Sequence, residues 1–448
     1  MAHVIPFRGV LYNPEVVKDT ARVVAPPYDV IDAAAQQMLH DRHPNNVIRL
    51  ELGMDRPGDG PDRNRYTRAA GLLREWLGNG ALRRDQKPGI YPYSIDYRVP
   101  GSDPDGERRV LRGFLATIEL EEFESGGILP HEHTHPAAKT DRLQLLEACR
   151  AHFSPIFSLF SDPEGTLLQL VEKSVNADKS RIDFTDESGF RHRLWSVTDR
   201  TILEQVAATM TPRRLFIADG HHRYETALTY RRRRMEQDGV TDSGPVRASG
   251  ARRSYDSVLM LCSSLEHPGL TVLPTHRILN RPVPVADKIL DLLRGEFTIE
   301  EFRFNGQGEP DTRRRFLRAL RRHGQTGQAF GLALRDAEAY FVLGLRSASH
   351  SASGGSPRDR LDVSVLHHQV LPRLDPLTTE EGGLLYTKDD HEALELVRKG
   401  SATAALLLNP TKVREVRDVA AAGERMPHKS TYFFPKPLTG LVMNVMEE

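Results

Sequence analysis

The sequence predicts a mixed α/β fold, and two observations support that class. Short apolar runs typical of buried strands alternate with stretches in which apolar residues have helical spacing, the pattern of layered α/β proteins. The chain has 448 residues, too many for one ordinary hydrophobic core, so two or three domains are expected.

The individual elements follow from local patterns along the chain. Strands are predicted at 215–218, 257–263, 339–345 and 403–410, and helices at 141–153, from near His221, at 285–297, 361–371 and 391–400. Gly400 is a helix stop signal, and Pro410 ends the last predicted strand.

Four stretches rich in Gly, Pro, Ser and charge predict loops, at 53–65, 99–108, 237–254 and 346–359. The third is the best candidate for a domain boundary. We therefore expect an N-terminal α/β region over 1–240, a loop over 241–254 and a C-terminal α/β region over 255–448.

Charge and cysteine content narrow the class of protein. Lys+Arg and Asp+Glu are equal at 61 each, so nothing attracts the chain as a whole to nucleic acid or an anionic membrane. The dense basic run 231–234 is predicted to be a solvated helix face. The sequence has two cysteines, which predicts no disulfide framework. It has no signal-peptide pattern and no run of 18 apolar residues, so we expect a cytoplasmic protein without a membrane partner.

Familiar nucleotide motifs are absent from the sequence, and one zinc motif matches by letters alone. There is no G-x-x-x-x-G-K-[ST], and no G-x-G-x-x-G follows a strand. His131-Glu132-His133-Thr134-His135 matches the zinc-protease pattern, but Pro136 disfavours helical backbone at the preceding residue. The segment is expected to be a loop, either a metal or phosphate site or a solvent-facing loop without a role.

The block Asp219-Gly220-His221-His222-Arg223 predicts a strand–turn–helix phosphate site. The first turn of a helix presents unpaired N–H groups and partial positive charge, which favour a bound anion. Gly220 permits a tight turn, and Arg223 suits bidentate phosphate contact. Asp219 is a helix N-cap, a Mg²⁺ ligand or a proton acceptor on this pattern. A capped helix with two incidental histidines is the alternative.

The chain also resembles a known family over nearly its whole length. The matching blocks are FRGVLYNP (7–14), VVAPPYDVI (23–31), HPNNVIRLELG (43–53), LPHEHT (129–134), KTDRLQLLEA (139–148), SPIFSLFSD (154–162), IADGHHRYETAL (217–228), SVLMLCSS (257–264), LPTHRIL (273–279) and KSTYFFPKPLTGLV (429–442). On these blocks the chain is identified as a member of the family called domain of unknown function 1015.

The D-G-H-H-R element resembles that of the ParB/sulfiredoxin-like fold, which includes free-serine kinases. The resemblance implies a ParB/sulfiredoxin-like nucleotide-binding core embedded in a larger two-domain chain. It also implies phosphorylation of free L-serine to O-phosphoserine, with ATP (or ADP) as phosphoryl donor and Mg²⁺. Those kinases use a glutamate base near the N-terminus, and no residue here can be aligned with it.

Phosphoryl transfer requires phosphate positioning, a divalent metal, cations and a carboxylate that orients the acceptor hydroxyl. The catalytic candidates are Asp219, which is also the candidate Mg²⁺ ligand, Asp29 in the Pro26-Pro27-Tyr28-Asp29 turn, and Glu132. The candidates for nucleotide binding are Gly220, His221, His222 and Arg223. The candidates for substrate binding are His133, Lys139, Arg142, Lys429, Ser430, Thr431 and Lys436.

Two other functions stay open on the sequence. A ParB-like nucleotide-binding switch would bind nucleotide without turnover, but no basic helix-turn-helix accompanies it here. A metal-dependent phosphohydrolase or nuclease would use the histidines and hydrolyse its substrate without an amino-acid acceptor. Consumption of nucleotide only when serine is added distinguishes the kinase from both.

Overall fold

The computed structural model describes residues 2–100, 106–240, 253–346, 355–375 and 383–447. The chain forms two compact units, the first from Met1–Val99, Gly106–Leu270 and Pro435–Glu448 and the second from Thr271–Phe434. Both contain sheets and helices, which confirms the predicted mixed α/β class. No helix in the described ranges is long and apolar enough to cross a membrane.

The first unit contains thirteen strands and seven α-helices among its described residues. The strands are β1 (Val4–Ile5), β2 (Val10–Tyr12), β3 (Leu82–Arg84), β4 (Tyr91–Arg98), β5 (Arg108–Glu119), β6 (Ile128–Leu129), β7 (Ala151–His152), β8 (Ile156–Phe160), β9 (Ile182–Thr185), β10 (Arg191–Leu194), β11 (Leu215–Asp219), β12 (Ser257–Ser264) and β21 (Asn444–Val445). The helices are α1 (Ala33–Arg42), α2 (Ile48–Glu51), α3 (Arg65–Gly78), α4 (Pro136–Cys149), α5 (Thr166–Lys173), α6 (Arg200–Met210) and α7 (His221–Gln237).

A nine-stranded mixed sheet organises this unit. Its order is β6-β11-β8-β12-β5-β4-β10-β9, with β1 paired to β5. The pairs β11–β6 and β12–β8 are parallel, and the other pairs are antiparallel. Every residue of β12 is buried, as expected for an uninterrupted apolar strand with neighbours on both sides.

The position of β12 bears on the predicted domain division. Most of the predicted boundary loop, 241–252, lies outside the described residues. The strand that follows it, β12, is hydrogen-bonded to β5 and β8. It therefore belongs to the first unit, which continues to Leu270 before the second unit begins.

Helix α7 follows β11 directly and packs on the sheet through Tyr224, Ala227 and Leu228, as the helical spacing predicted. The basic run within α7 is only partly a solvated face. Arg232 is exposed, whereas Arg231 is buried and its Nε donates to Asp256 Oδ1 at 3.1 Å. The prediction was wrong for Arg231 because this helix is covered near its middle.

The second unit contains the remaining elements. Its strands are β13 (Thr271–Leu273), β14 (His276–Leu279), β15 (Phe297–Arg303), β16 (Ala329–Leu334), β17 (Ala339–Leu345), β18 (Leu384–Thr387), β19 (Ala404–Leu408) and β20 (Tyr432–Phe434). Its helices are α8 (Ala286–Leu293), α9 (Glu309–Thr326), α10 (Asp362–Val365), α11 (Leu371–Leu374), α12 (Asp390–Arg398) and α13 (Val413–Ala421). Six strands form an antiparallel sheet in the order β15-β17-β16-β19-β14-β18.

The predicted strands are present, and three of the predicted helices differ in their bounds or geometry. Helix 141–153 is α4, which begins earlier with Pro136 in its first turn and ends before Arg150, where φ is 49°. Helix 285–297 ends at Leu293, because Phe297 already begins β15. Between α10 and α11, residues 366–370 form a π-helical turn, so the mixed pattern at 361–371 corresponds to a distorted helix.

Candidate functional site

The turn between β11 and α7 depends on a glycine. Gly220 is the N-cap of α7 with φ 96°, a conformation that favours glycine. A Cβ at this position would lie 2.9 Å from Arg223 Nη2. The absence of a side chain therefore lets the Arg223 guanidinium lie against the start of its own helix.

Asp219 binds Arg223 instead of capping the helix. Arg223 Nη2 donates to Asp219 Oδ2 at 2.6 Å, and Arg223 Nη1 donates to the Pro155 carbonyl at 2.5 Å. The N-cap residue of α7 is Gly220, one position after Asp219. The N-cap interpretation of Asp219 was wrong, because Gly220 occupies that position and the Asp219 carboxylate pairs with Arg223.

Lys436 joins Asp219 to a second carboxylate from near the N-terminus. Its Nζ lies 2.5 Å from Asp219 Oδ1 and 2.6 Å from Asp29 Oδ2. The Lys436 side chain is 9% exposed and that of Asp29 39%. Burial alone lowers the pKa of Lys436, but the Asp219 and Asp29 carboxylates outweigh it and raise that pKa above the ordinary value. Lys436 is therefore a buried cation between two fixed anions.

A short two-stranded contact brings Lys436 to the Asp29 turn. Thr439 N–H donates to the Ala25 carbonyl at 2.8 Å, and the reciprocal bond is 3.3 Å long. After Pro27, residues 28–30 form one 3-10 turn, which places Asp29 beside this ladder. Proline at the start of the turn fixes φ near the required value. The predicted rigid Pro-Pro-Tyr-Asp turn is thus present.

The segment 131–135 packs against the first turn of α7 through the two histidines of the D-G-H-H-R block. His131 N–H donates to His221 Nε2 at 3.2 Å, and His135 N–H donates to His222 Nε2 at 2.9 Å. Glu132 Oε2 lies 3.6 Å from His221 Nδ1. Burial lowers the pKa of His222, which favours the neutral ring that can accept this bond. No zinc helix forms here, since α4 begins only at Pro136.

The carboxylate of Glu225, one turn further along α7, contacts two polar side chains from the same region. Thr134 Oγ1 donates to Glu225 Oε2 at 2.7 Å, and Lys139 Nζ lies 2.8 Å from the same oxygen. His133, which directly precedes Thr134, is exposed. Sequence reasoning missed Glu225, although its position three residues after His222 would place both on one helix face.

Arg142, a predicted substrate ligand, is buried behind the Asp29 turn. Its side chain is 5% exposed and pairs with Glu51 Oε1 at 3.1 Å and with Asp141 Oδ2 at 2.5 Å. Its guanidinium also lies 4.2 Å from the centre of the Tyr28 ring. Burial raises the pKa of Tyr28 to about 12, against the opposing effect of Arg223 and Arg142. The position of Arg142 suits support of the turn better than contact with a ligand.

The remaining predicted substrate residues, Lys429, Ser430 and Thr431, belong to the second unit. There Ser430 Oγ donates to the Pro427 carbonyl at 2.5 Å, and the Ser430 carbonyl accepts from Thr411 Oγ1 at 2.7 Å. Their role in substrate binding stays a prediction. Across the described ranges, no group of three or more His, Cys, Asp or Glu side chains is arranged to hold a metal ion.

Fold and site together define an α/β protein with a glycine turn, two carboxylates and two cations at the start of one helix. The chain belongs to the family described as "Protein of unknown function (DUF1015)", whose model matches residues 4–364. A search of curated proteins found no match.

A search of solved structures found several chains that are similar to this one at low identity. A conserved hypothetical protein from Pyrococcus furiosus is 14% identical, with 72% of this chain and 92% of that chain covered and a TM-score of 0.32. A variant of free serine kinase in complex with AMP is 14% identical, with 69% and 84% covered and a TM-score of 0.32. SbnI with C-terminal truncation from Staphylococcus aureus is 11% identical, with 72% and 85% covered and a TM-score of 0.32.

Proposed function

We propose that this protein is an ATP-dependent small-molecule kinase that phosphorylates the hydroxyl of free L-serine to give O-phosphoserine. The observation that carries the proposal is the ion cluster in which Lys436 lies between Asp29 and Asp219, beside the glycine turn at the start of α7. Cations and a carboxylate are among the parts that phosphoryl transfer needs, and a helix N-terminus can position the phosphates.

The nucleotide phosphates would bind at the first turn of α7. There Gly220 permits close approach of the backbone, and the unpaired N–H groups of the first turn favour an anion. Arg223, already held by Asp219 and Pro155, would add a fixed guanidinium at little cost in side-chain entropy. Lys436 would supply a second cation against the charge that develops on the transferred phosphoryl group.

Asp29 is the better candidate for the catalytic base. Both oxygens of Asp219 are engaged by cations, whereas Asp29 is more exposed and contacts Lys436 through Oδ2. In the proposed step the serine oxygen attacks the γ-phosphorus, the bond to the β–γ bridging oxygen breaks, the hydroxyl proton passes to Asp29 and ADP leaves. Glu132 is the second candidate, since its Oε2 lies near His221 at the same helix start.

Magnesium fits these residues only as an ion held chiefly by phosphates. Mg²⁺ commonly takes one or two protein carboxylates and completes its shell with substrate phosphates and water. Asp29 and Asp219 offer two carboxylates, although both already contact Lys436. When bound, the metal would offset phosphate charge.

The exposed His133 and the Glu225-bound Lys139 are the proposed contacts for the serine carboxylate.

The proposal is tested by ³¹P NMR of the purified protein with Mg²⁺, ATP and each of the twenty amino acids in turn. We expect a new phosphomonoester signal, together with ADP, only when L-serine is present. A parallel series with ADP as donor tests the alternative nucleotide. Phosphate release without an acceptor would indicate a hydrolase, and bound but unconsumed nucleotide would indicate a switch; either result would overturn the proposal.

A further inference from the structure

A small cavity is lined in part by Arg223, the arginine that binds the Asp219 carboxylate. Its volume is about 40 Å³, and its polar lining consists of Glu51, Arg142, His152, Ser154, Arg223 and Thr226. One water molecule requires about 10–15 Å³ on this measure. The cavity is therefore large enough for ordered water.

Three buried polar atoms on this lining have no hydrogen-bond partner within the described part of the chain: Arg223 Nε, Thr226 Oγ1 and His152 Nε2. A buried polar atom without a partner is costly, and native structures normally satisfy it with protein or water. That three residues lining one cavity each carry such an atom indicates that the cavity has a polar occupant.

The chemistry of the three atoms identifies the occupant. Asn444 Nδ2 lies 3.2 Å from His152 Nδ1, so Nδ1 is the acceptor and the proton of the neutral ring is on Nε2. Burial lowers the pKa of His152 to about 4, which agrees with a neutral ring. Arg223 Nε and His152 Nε2 are thus donors, and the Thr226 hydroxyl can donate or accept. Water, which accepts two bonds and donates two, complements this set.

We propose that the cavity holds ordered water that accepts from Arg223 Nε and His152 Nε2 and bonds to Thr226 Oγ1, and that His152 and Thr226 are positioning residues for Arg223. The same cavity touches Arg142, which packs on Tyr28 beside Asp29. The cavity is therefore lined by Arg223, which binds Asp219, and by Arg142, which packs beside the Asp29 turn. The effect of the water on nucleotide binding rests on the proposed function; its presence does not.

A crystal structure of the nucleotide-free protein tests the proposal first. We expect electron density for water within 3.2 Å of all three atoms, the usual limit for such a bond. A cavity without density in the wild type would overturn the proposal, whatever the protein catalyses. The structure of Thr226→Val, which removes the hydroxyl at nearly constant volume, should show the water lost or displaced and the Arg223 side chain less well ordered.

Calorimetry with ADP on the same variants tests the positioning role. Thr226→Val should raise the Kd about two- to tenfold, the effect of one lost hydrogen bond, and Thr226→Ser should restore the wild-type value. An unchanged Kd in Thr226→Val would contradict the positioning role. If the wild type phosphorylates no amino acid but the water is present, the proposed function fails and the hydration of the cavity stands.

Discussion

Lys436, near the C-terminal end of the first unit, joins Asp29 near its N-terminal end to Asp219 at the end of β11 and has little contact with solvent. The sequence distance from Asp29 to Lys436 is 407 residues, so this ion pair links the N-terminal turn to the C-terminal segment as well as to the start of α7. A buried ion pair contributes little net stability when intact, but removing one partner leaves uncompensated charge. This residue consequently has a structural role alongside its proposed role toward phosphate.

Replacing Lys436 with Met tests the structural role. The substitution leaves Asp29 without its cation and Asp219 with Arg223 alone, and we expect the free energy of unfolding to fall by about 3 kcal/mol at pH 7. Lys179→Met is the matched control, because Lys179 is exposed in the same unit, and it should change stability by less than about 0.5 kcal/mol. Urea unfolding measures the stability of both variants, and equal stabilities would contradict the structural role of Lys436.

Asn substitutions separate the roles of the two carboxylates. Asp29→Asn keeps a hydrogen-bond acceptor for Lys436 but removes the proposed base, so turnover should fall about 10²–10⁴-fold with little change in nucleotide affinity. Asp219→Asn weakens the contacts of both Arg223 and Lys436, so affinity should fall as well. Single-turnover rates and calorimetry with nucleotide distinguish the effects of the two substitutions. Normal turnover in Asp29→Asn would contradict the role of Asp29 as the base and would make Glu132 the candidate.

At the scale of elements, the junction of β11 and α7 depends on the backbone conformation of Gly220. Gly220→Ala should cost about 1–2 kcal/mol, because a positive φ is unfavourable for an L-residue and the new Cβ would lie 2.9 Å from Arg223 Nη2. Gly71→Ala inside α3, where the added Cβ meets no atom within 4 Å, should instead stabilise by about 0.5–1 kcal/mol. Thermal unfolding should show a lower Tm for Gly220→Ala and a higher Tm for Gly71→Ala if Gly220 is constrained as described.

The buried His152 in strand β7 should make the stability of the protein depend on pH. Burial lowers the pKa of His152 to about 4 from its ordinary value of 6.5, so folding favours the neutral ring. Its contribution is fully present above pH 6.5 and is lost as the pH falls from 6.5 to about 4, with a slope of about 1.4 kcal/mol per pH unit. His152→Gln should reduce the difference in urea stability between pH 7 and pH 5, and His133→Gln, at an exposed position, should not.

At the scale of the whole molecule, local patterns were predictable and long-range pairings were not. The strand–turn–helix at 215–237 and the fully buried strand at 257–264 follow from neighbouring residues, and both are present. The juxtaposition of Lys436 with Asp29 depends on the ladder between Ala25 and Thr439, which no local pattern encodes. The sequence identified both residues as candidates without bringing them together.

Charge in the sequence was a less reliable guide than backbone pattern. Arg142 suggested a substrate ligand, yet it is enclosed by Glu51 and Asp141, and Arg231 suggested a solvated face, yet it is buried against Asp256. The sequence shows the number of ionisable groups, whereas their burial depends on which carboxylates the fold brings beside them. Arg223 differs, because its partner Asp219 is four residues away and lies at the helix start.

The most direct test of the central claim, that the start of α7 binds nucleotide phosphates, is calorimetric titration of ATP into Arg223→Ala. We expect binding to weaken by about 1.5–3 kcal/mol, the range for a charge-assisted hydrogen bond. Arg200→Ala, which removes a 92% exposed arginine from the same unit, should bind as the wild type does. An ATP affinity unchanged in folded Arg223→Ala would contradict the claim.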